Sequence, residues 1–145
     1  MDVRKVMTAD PACCTPTTPL RDVARMMAEN DCGEIPVVDD AAQKHPIGVV
    51  TDRDIVLRSL AVGRDPTSLT AGDCMTTPAV TTRPDCSLED CRELMEAHQI
   101  RRVPVVDEAG RLCGIVAQAD IAQASTNRET GELVKEVSTP GPTSH

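Results

Sequence analysis

The chain contains no phenylalanine, tyrosine or tryptophan. It therefore lacks the aromatic platforms on which unpaired bases stack in single-strand nucleic-acid proteins. Any flat ligand has to lie against aliphatic side chains, methionine or backbone. Positive charge is also in deficit: 15 Lys+Arg stand against 23 Asp+Glu, for a formal net charge of −8. That balance argues against a nucleic-acid surface, because phosphate binding rests on lysine and arginine neutralising the backbone. A local basic pocket is still compatible with it. No stretch approaches the ~20 apolar residues of a membrane helix. The opening MDVRKVMTADPACC lacks the apolar run of roughly 7–15 residues of a secretory signal. The expectation is a cytoplasmic protein with neither membrane nor nucleic acid as partner.

Cysteine is plentiful, at positions 13, 14, 32, 74, 86, 91 and 113, but no C-x-x-C pair occurs and the histidines at 45, 98 and 145 are scattered. That spacing gives no metal signature. An odd count without a signal peptide favours reduced thiols. What remains is ordinary: 145 residues, 40% hydrophobic and 26% charged, values of a folded domain able to bury a core.

The informative feature is repetition. DVARMMAENDCGEIPVVDD, residues 22–40, aligns without gaps on DCRELMEAHQIRRVPVVDE, residues 90–108. Before it, VMTADP matches CMTTP with a one-residue shift. After it, IGVVTDRDI matches CGIVAQADI. In this alignment Cys13 falls opposite Val80, Cys32 opposite Ile100, Cys74 opposite Val6, Cys91 opposite Val23 and Cys113 opposite Ile47. Those are apolar positions, where cysteine serves as a small hydrophobe. The boundaries follow: repeat one at 3–64, linker 65–73, repeat two at 74–125, and a polar tail from 126 to 145 with a short ordered piece at ELVKEV and a frayed end.

Within each unit the periodicity changes. Leu20, Val23, Met26 and Met27, like Leu88, Cys91, Leu94, Met95 and His98, follow helical spacing. Thr18-Pro19 reads as an N-cap with proline at N1, and Ser87 with Asp90 as a capping box. Short strands are expected at 35–38, 47–51, 103–106 and 113–117, with Pro36 and Pro104 at a strand start or edge. A second helix over DRDIVLRSLAVG ends at Gly63. The fold class is α+β: two β-α-β-β-α units packed about a pseudo-two-fold axis, with equivalent clefts where the halves meet.

The strand GVVT runs into a polar cluster, TDRD, at 51–54. Thr51 and Asp54 stand at the N-cap and N3 positions of a capping box, which explains them without a ligand. Copy two retains Asp120 although Ala117 cannot cap. The functional alternative is that Asp54 and Asp120 each accept hydrogen bonds from a ribose diol. Thr51 and Arg53 would then meet a phosphate.

The doubled order VMT…P, helix, IPVVDD or VPVVDE, then GVVTDRDI or GIVAQADI closely resembles a tandem pair of cystathionine β-synthase (CBS) domains, a Bateman module. The resemblance covers residues 3 to about 124. It implies that the hydroxyl and aspartate of G-h-h-[ST]-x-x-D, with h hydrophobic, contact phosphate and ribose of an adenine nucleotide. Here those are Thr51 and Asp54 in copy one and Asp120 alone in copy two. It implies phosphate contacts from Arg101 and Arg102, where copy one has Gly33-Glu34. It further implies an adenine slot of Ala12, Cys13, Ala79 and Val80 with Ile35, Pro36, Val103 and Pro104.

The expected protein is a free-standing, non-catalytic regulatory module. Its ligand is AMP, ADP or ATP, with NAD as a relative, and the resemblance implies a homodimer. No catalytic constellation, Walker loop or metal cluster stands in the sequence, so no catalytic cofactor is expected. Two alternatives remain at this point: a thiol- or metal-based redox sensor, and a ligand-free interaction scaffold.

Overall fold

The computed structural model describes residues 1–134, with side chains through Asn127. The end of ELVKEV and the residues beyond it lie outside the described residues. In chain order the elements are β1 (Thr8–Ala9), α1 (Leu20–Asn30), β2 (Glu34–Val38), β3 (Pro46–Thr51), α2 (Asp52–Arg58), α3 (Ala71–Cys74), α4 (Leu88–His98), β4 (Arg102–Val106), β5 (Leu112–Ala117) and α5 (Gln118–Val134). Among the described residues, no helix is long and apolar enough to cross a membrane.

Helix α1 buries Leu20, Val23 and Met27, and α4 buries Cys91 and Met95. Full burial of such side chains stabilises the fold by ~1.5–3 kcal/mol each. Both helices end on a left-handed residue, Asp31 (φ 48°) and Gln99 (φ 55°), at matching places in the two repeats. The Ser87 hydroxyl accepts from the Asp90 amide at 3.0 Å. At α1 the expected cap is different. Pro19 itself is the N-cap residue and makes no side-chain bond, while the Thr18 hydroxyl accepts from the Thr15 amide at 3.0 Å. The local turn captures the hydroxyl before the helix can.

The hairpins are near copies. Strand β2 pairs antiparallel with β3 through Glu34↔Thr51, Ile35↔Val50 and Pro36↔Val49. Strand β4 pairs with β5 through Arg102↔Ala117, Val103↔Val116 and Pro104↔Ile115. The register slips at the same step in both, after Val37 and after Val105. Each proline strand has an outer neighbour of one residue. Cys14 takes the Pro36 carbonyl and receives the Val38 amide, and Thr82 does the same with Pro104 and Val106. This pairing places Cys14 opposite Thr82, so Cys13 falls opposite Thr81 and not Val80.

The first strand of each unit is exchanged. Strand β1 pairs with β5, Thr8↔Ile115 and Ala9↔Gly114. Reciprocally, Thr76 bridges Val49, with Val49 N–H donating to the Thr76 carbonyl at 3.0 Å and Thr76 N–H to the Val49 carbonyl at 2.8 Å. The cores are exchanged with the strands. Val3 is buried with Cys91, Met95, Val103, Val105, Val116 and Ile121. Leu69, Ala71 and Cys74 are buried with Leu20, Val23, Ile35, Val37 and Val50. Neither half is complete without the segment that precedes the other.

Two element lengths depart from expectation. Helix α2 stops at Arg58 and gives way to a 3-10 turn over Leu60–Val62, which ends on Gly63 at φ 77°. In the other direction, α5 runs on to Val134 through residues read as the start of a polar tail. The stretch has no apolar repeat at helical spacing, so periodicity alone does not separate it from coil.

Candidate functional site

The two hairpins meet at their polar ends. There the loops before β2 and β4 and the starts of α2 and α5 enclose a cleft of about 900 Å³. Its walls include Gly33, Glu34, Thr51, Asp52 and Arg53 from the first repeat, and Arg101, Arg102, Ala117 and Gln118 from the second. These are matched positions, so the cleft lies on the pseudo-two-fold axis. One backbone device places both helices: the Gly33 carbonyl accepts from the Asp52 amide at 2.9 Å, and the Arg101 carbonyl from the Gln118 amide at 2.7 Å.

The four residues expected at phosphate, Thr51, Arg53, Arg101 and Arg102, all reach this one cleft. Three arginines, Arg53, Arg101 and Arg102, share the lining with two acids, Glu34 and Asp52. A smaller recess of about 190 Å³ adjoins it through Glu34 and Arg102, which line both. Its other walls include Thr8, Ala12, Ile35, Pro36 and Ile115. Three of the expected adenine-slot residues are thus present: Ala12, Ile35 and Pro36. Cys13, Ala79 and Val80 are half-buried, and Val103 and Pro104 buried, but none of these five lines either space.

Asp54 and Asp120 sit behind the wall. Asp54 Oδ2 accepts from the Thr51 amide at 3.0 Å while the Thr51 hydroxyl accepts from the Asp54 amide at 3.0 Å, a full capping box. Thr76 of the exchanged segment donates to the same carboxylate, at 3.2 Å to Oδ1 and 3.3 Å to Oδ2, and Arg58 lies 4.0 Å from Oδ1. Asp54 faces this network and not the cleft: Thr51 and Arg58 of its own repeat hold it, and Thr76 of the exchanged segment adds a donor that repeat one cannot supply itself. Asp120 has less. Oδ2 accepts from the Ala117 amide at 3.2 Å, while Oδ1 is buried without a hydrogen-bond partner in a residue only 4% exposed. It completes half of a capping box and leaves one strong acceptor unused.

Glu34 is the residue the sequence did not mark as functional. It is 8% exposed, and its Oε2 has no hydrogen-bond partner. Burial pushes the carboxyl up to about 7, with Arg102 opposing and Asp54 adding to the rise. In the alignment Glu34 was only the residue opposite an arginine. Its enclosure depends on packing between repeats, which no local pattern reports.

Among the described residues, no three His, Cys, Asp or Glu side chains gather as a metal site requires. All seven cysteines are free thiols. Burial pushes Cys14 up to about 12 and Cys91 to about 11, and raises Cys13, Cys74 and Cys113. Protonated thiols are poor nucleophiles and poor ligands.

Comparison with known proteins places this architecture. A family model, the CBS domain, matches residues 3–60 and again 71–127. The chain belongs to the CBS domain family, as a tandem pair. Hypoxic response protein 1 of Mycobacterium tuberculosis is 37% identical over 137 residues, spanning 94% of this chain and 94% of that protein. The CBS domain-containing protein YhcV of Bacillus subtilis is 39% identical over 137 residues, with the same coverage of both. A solved structure of Hypoxic Response Protein I with two coordinated zinc ions superposes with a TM-score of 0.75 at 39% identity, covering 85% of this chain and 98% of that one. CBSX2 in complex with AMP gives 0.77 at 26% identity, covering 88% and 98%.

Proposed function

We propose that this chain is a regulatory CBS pair that binds an adenosine-containing ligand, AMP, ADP or ATP, or NAD through the same adenosine half, and performs no chemistry on it. The observation that carries the reading is the pairing of spaces at the repeat interface. A recess with Ala12, Ile35 and Pro36 in its wall adjoins, across Glu34 and Arg102, a larger cleft lined by Arg53, Arg101 and Arg102. A base without aromatic partners fits the first, and phosphates fit the second through charge-assisted bonds. The AMP complex of CBSX2 supports the same ligand class. Of the two aspartates, Asp120 keeps an unused Oδ1 behind the cleft wall. It would meet a ribose only as binding moves the start of α5 aside, and the two hydroxyls would then satisfy a buried oxygen. The carboxylate of Asp54 is already hydrogen-bonded. Ligand binding would favour one packing of the repeats over another, which is how such a module transmits a signal.

The test is direct because a chain without Trp or Tyr leaves the nucleotide spectrum unobstructed. AMP is expected to bind in equilibrium dialysis read at 260 nm. Arg102→Ala and Asp120→Asn should each weaken it by about tenfold, the effect of losing ~1.4 kcal/mol, with unchanged circular dichroism. If AMP, ADP, ATP and NAD all leave the melting temperature unmoved at millimolar concentration, the reading is lost.

The module also acts as a homodimer in this reading. Val56, Leu57, Leu60 and Val62 form an exposed apolar face on α2 and the turn after it, 44–64% accessible, larger than scattered single residues explain. Sedimentation should show a dimer that Leu60→Glu with Val62→Glu converts to monomer. A monomeric wild type at tens of micromolar would remove this part.

A further inference from the structure

Glu34 and Arg102 hold the same place in the two repeats, the first residue of β2 and of β4. Their strands put them opposite Thr51 and Ala117 respectively. Pseudo-symmetry therefore sets a carboxyl where its counterpart is a guanidinium, at the junction of the recess and the cleft. A buried carboxyl with an unpartnered oxygen in an anion-binding space is an electrostatic obstacle unless it is neutral.

We infer that Glu34 couples anion binding to proton uptake: a phosphorylated ligand enters the central cleft together with one proton from solvent, which resides on the Glu34 carboxyl. This rests on the reading of the cleft given above and adds its regulation by pH. The groups around Glu34 decide the sign. Arg101 and Arg102 approach from the β4 side, and Asp52, Arg53 and Asp54 from α2. The end of α1 contributes Asn30 and the loop after it Cys32, α5 contributes Gln118, and β1 with β5 contribute Thr8 and Ile115. In the free protein burial disfavours the ionised carboxyl, Arg102 favours it and Asp54 adds to the disfavour, which leaves the group near its midpoint at neutral pH. An incoming anion engages the arginines and adds a like charge beside Glu34, and both changes drive protonation. A neutral Glu34 can then donate its proton to a ligand oxygen, giving Oε2 the partner it lacks.

Affinity for AMP is measured between pH 6 and pH 8.5 at constant ionic strength, in the wild type and in Glu34→Gln. Sulfate, whose charge is constant over this range, serves as a second probe. The wild type is expected to lose affinity for either probe by about tenfold relative to Glu34→Gln as pH rises through the interval, the consequence of one linked proton. The second ionisation of the AMP phosphate contributes equally to both proteins and cancels in the ratio. Parallel pH profiles in the two proteins overturn the coupling while leaving the nucleotide reading intact. Linked sulfate binding without AMP binding supports the coupling and overturns the nucleotide reading. Absence of binding by either probe overturns both.

Discussion

At pH 8, Glu34→Gln is expected to be more stable than the wild type by about 3 kcal/mol, a rise in melting temperature of roughly 10 °C for a chain of this size. A carboxyl raised from 4.5 to about 7 opposes folding when ionised, by 1.36 kcal/mol for each pH unit. The sign follows from the direction of the change. The folded state holds its proton more tightly than the unfolded state. The stability associated with the neutral carboxyl is therefore complete below about pH 4.5 and lost as pH rises through about 7. Glutamine keeps the volume and removes the charge, so the two proteins converge toward pH 4.5, separate as pH rises from there to about 7, and keep the full difference at pH 8. Asp39, Asp65 and Asp73 are lowered by hydrogen bonds from His45, Thr67 and Thr70. Their contribution is lost only as pH falls below the usual carboxylate range, outside this window. His45 is raised by Asp39, and that change is common to both proteins. Urea unfolding followed by circular dichroism at pH 5, 6, 7 and 8 reads the difference. Unfolding midpoints that stay superimposed at pH 8 would exclude a costly carboxylate at position 34.

How much of this was legible in the sequence depends on whether a feature is local. The hairpins, α1, α4 and the doubled order follow from patterns within a few residues, and the structure has them at nearly the same bounds. The arginine pair 101–102 was legible because its counterpart, Gly33-Glu34, is so different in kind. The strand exchange was not. The match of VMTADP to CMTTP locates both segments but does not say which sheet each joins, since either pairing satisfies the same backbone hydrogen bonds. Asp54 shows the consequence. Its capping box with Thr51 and its i,i+4 neighbour Arg58 were readable within one helix, while Thr76 reaches it only through the exchange. Glu34 was the reverse case, a polar residue that sequence alone reads as solvated and whose carboxyl burial raises to about 7.

The exchange also explains the glycine that opens each G-h-h motif, and it makes Gly48→Ala strongly destabilising. A Cβ on Gly48 would stand 2.6 Å from the Thr76 carbonyl oxygen and 3.0 Å from Thr77 Cγ2. That carbonyl cannot retreat freely, because it accepts the Val49 amide. Arg58 pins the same segment, donating to the Met75 carbonyl at 2.6 Å, the Cys74 carbonyl at 3.2 Å and the Thr76 hydroxyl at 3.3 Å. Alanine would gain about 0.5–1 kcal/mol in backbone entropy over glycine, whereas forcing an atom into a fixed backbone costs about 1–3 kcal/mol or more. The net expectation is a loss of about 2 kcal/mol. Gly114 is the internal control. There the nearest atom is Met7 Sδ at 2.5 Å, the end of a flexible side chain, with the Thr8 carbonyl farther off at 3.2 Å. Gly114→Ala should cost less, ~1 kcal/mol, as the thioether swings aside. Denaturant midpoints of the two variants should therefore rank Gly48→Ala below Gly114→Ala. The opposite order would mean that the segment at Thr76 yields more readily than a methionine side chain, and the interlocked halves would then be separable.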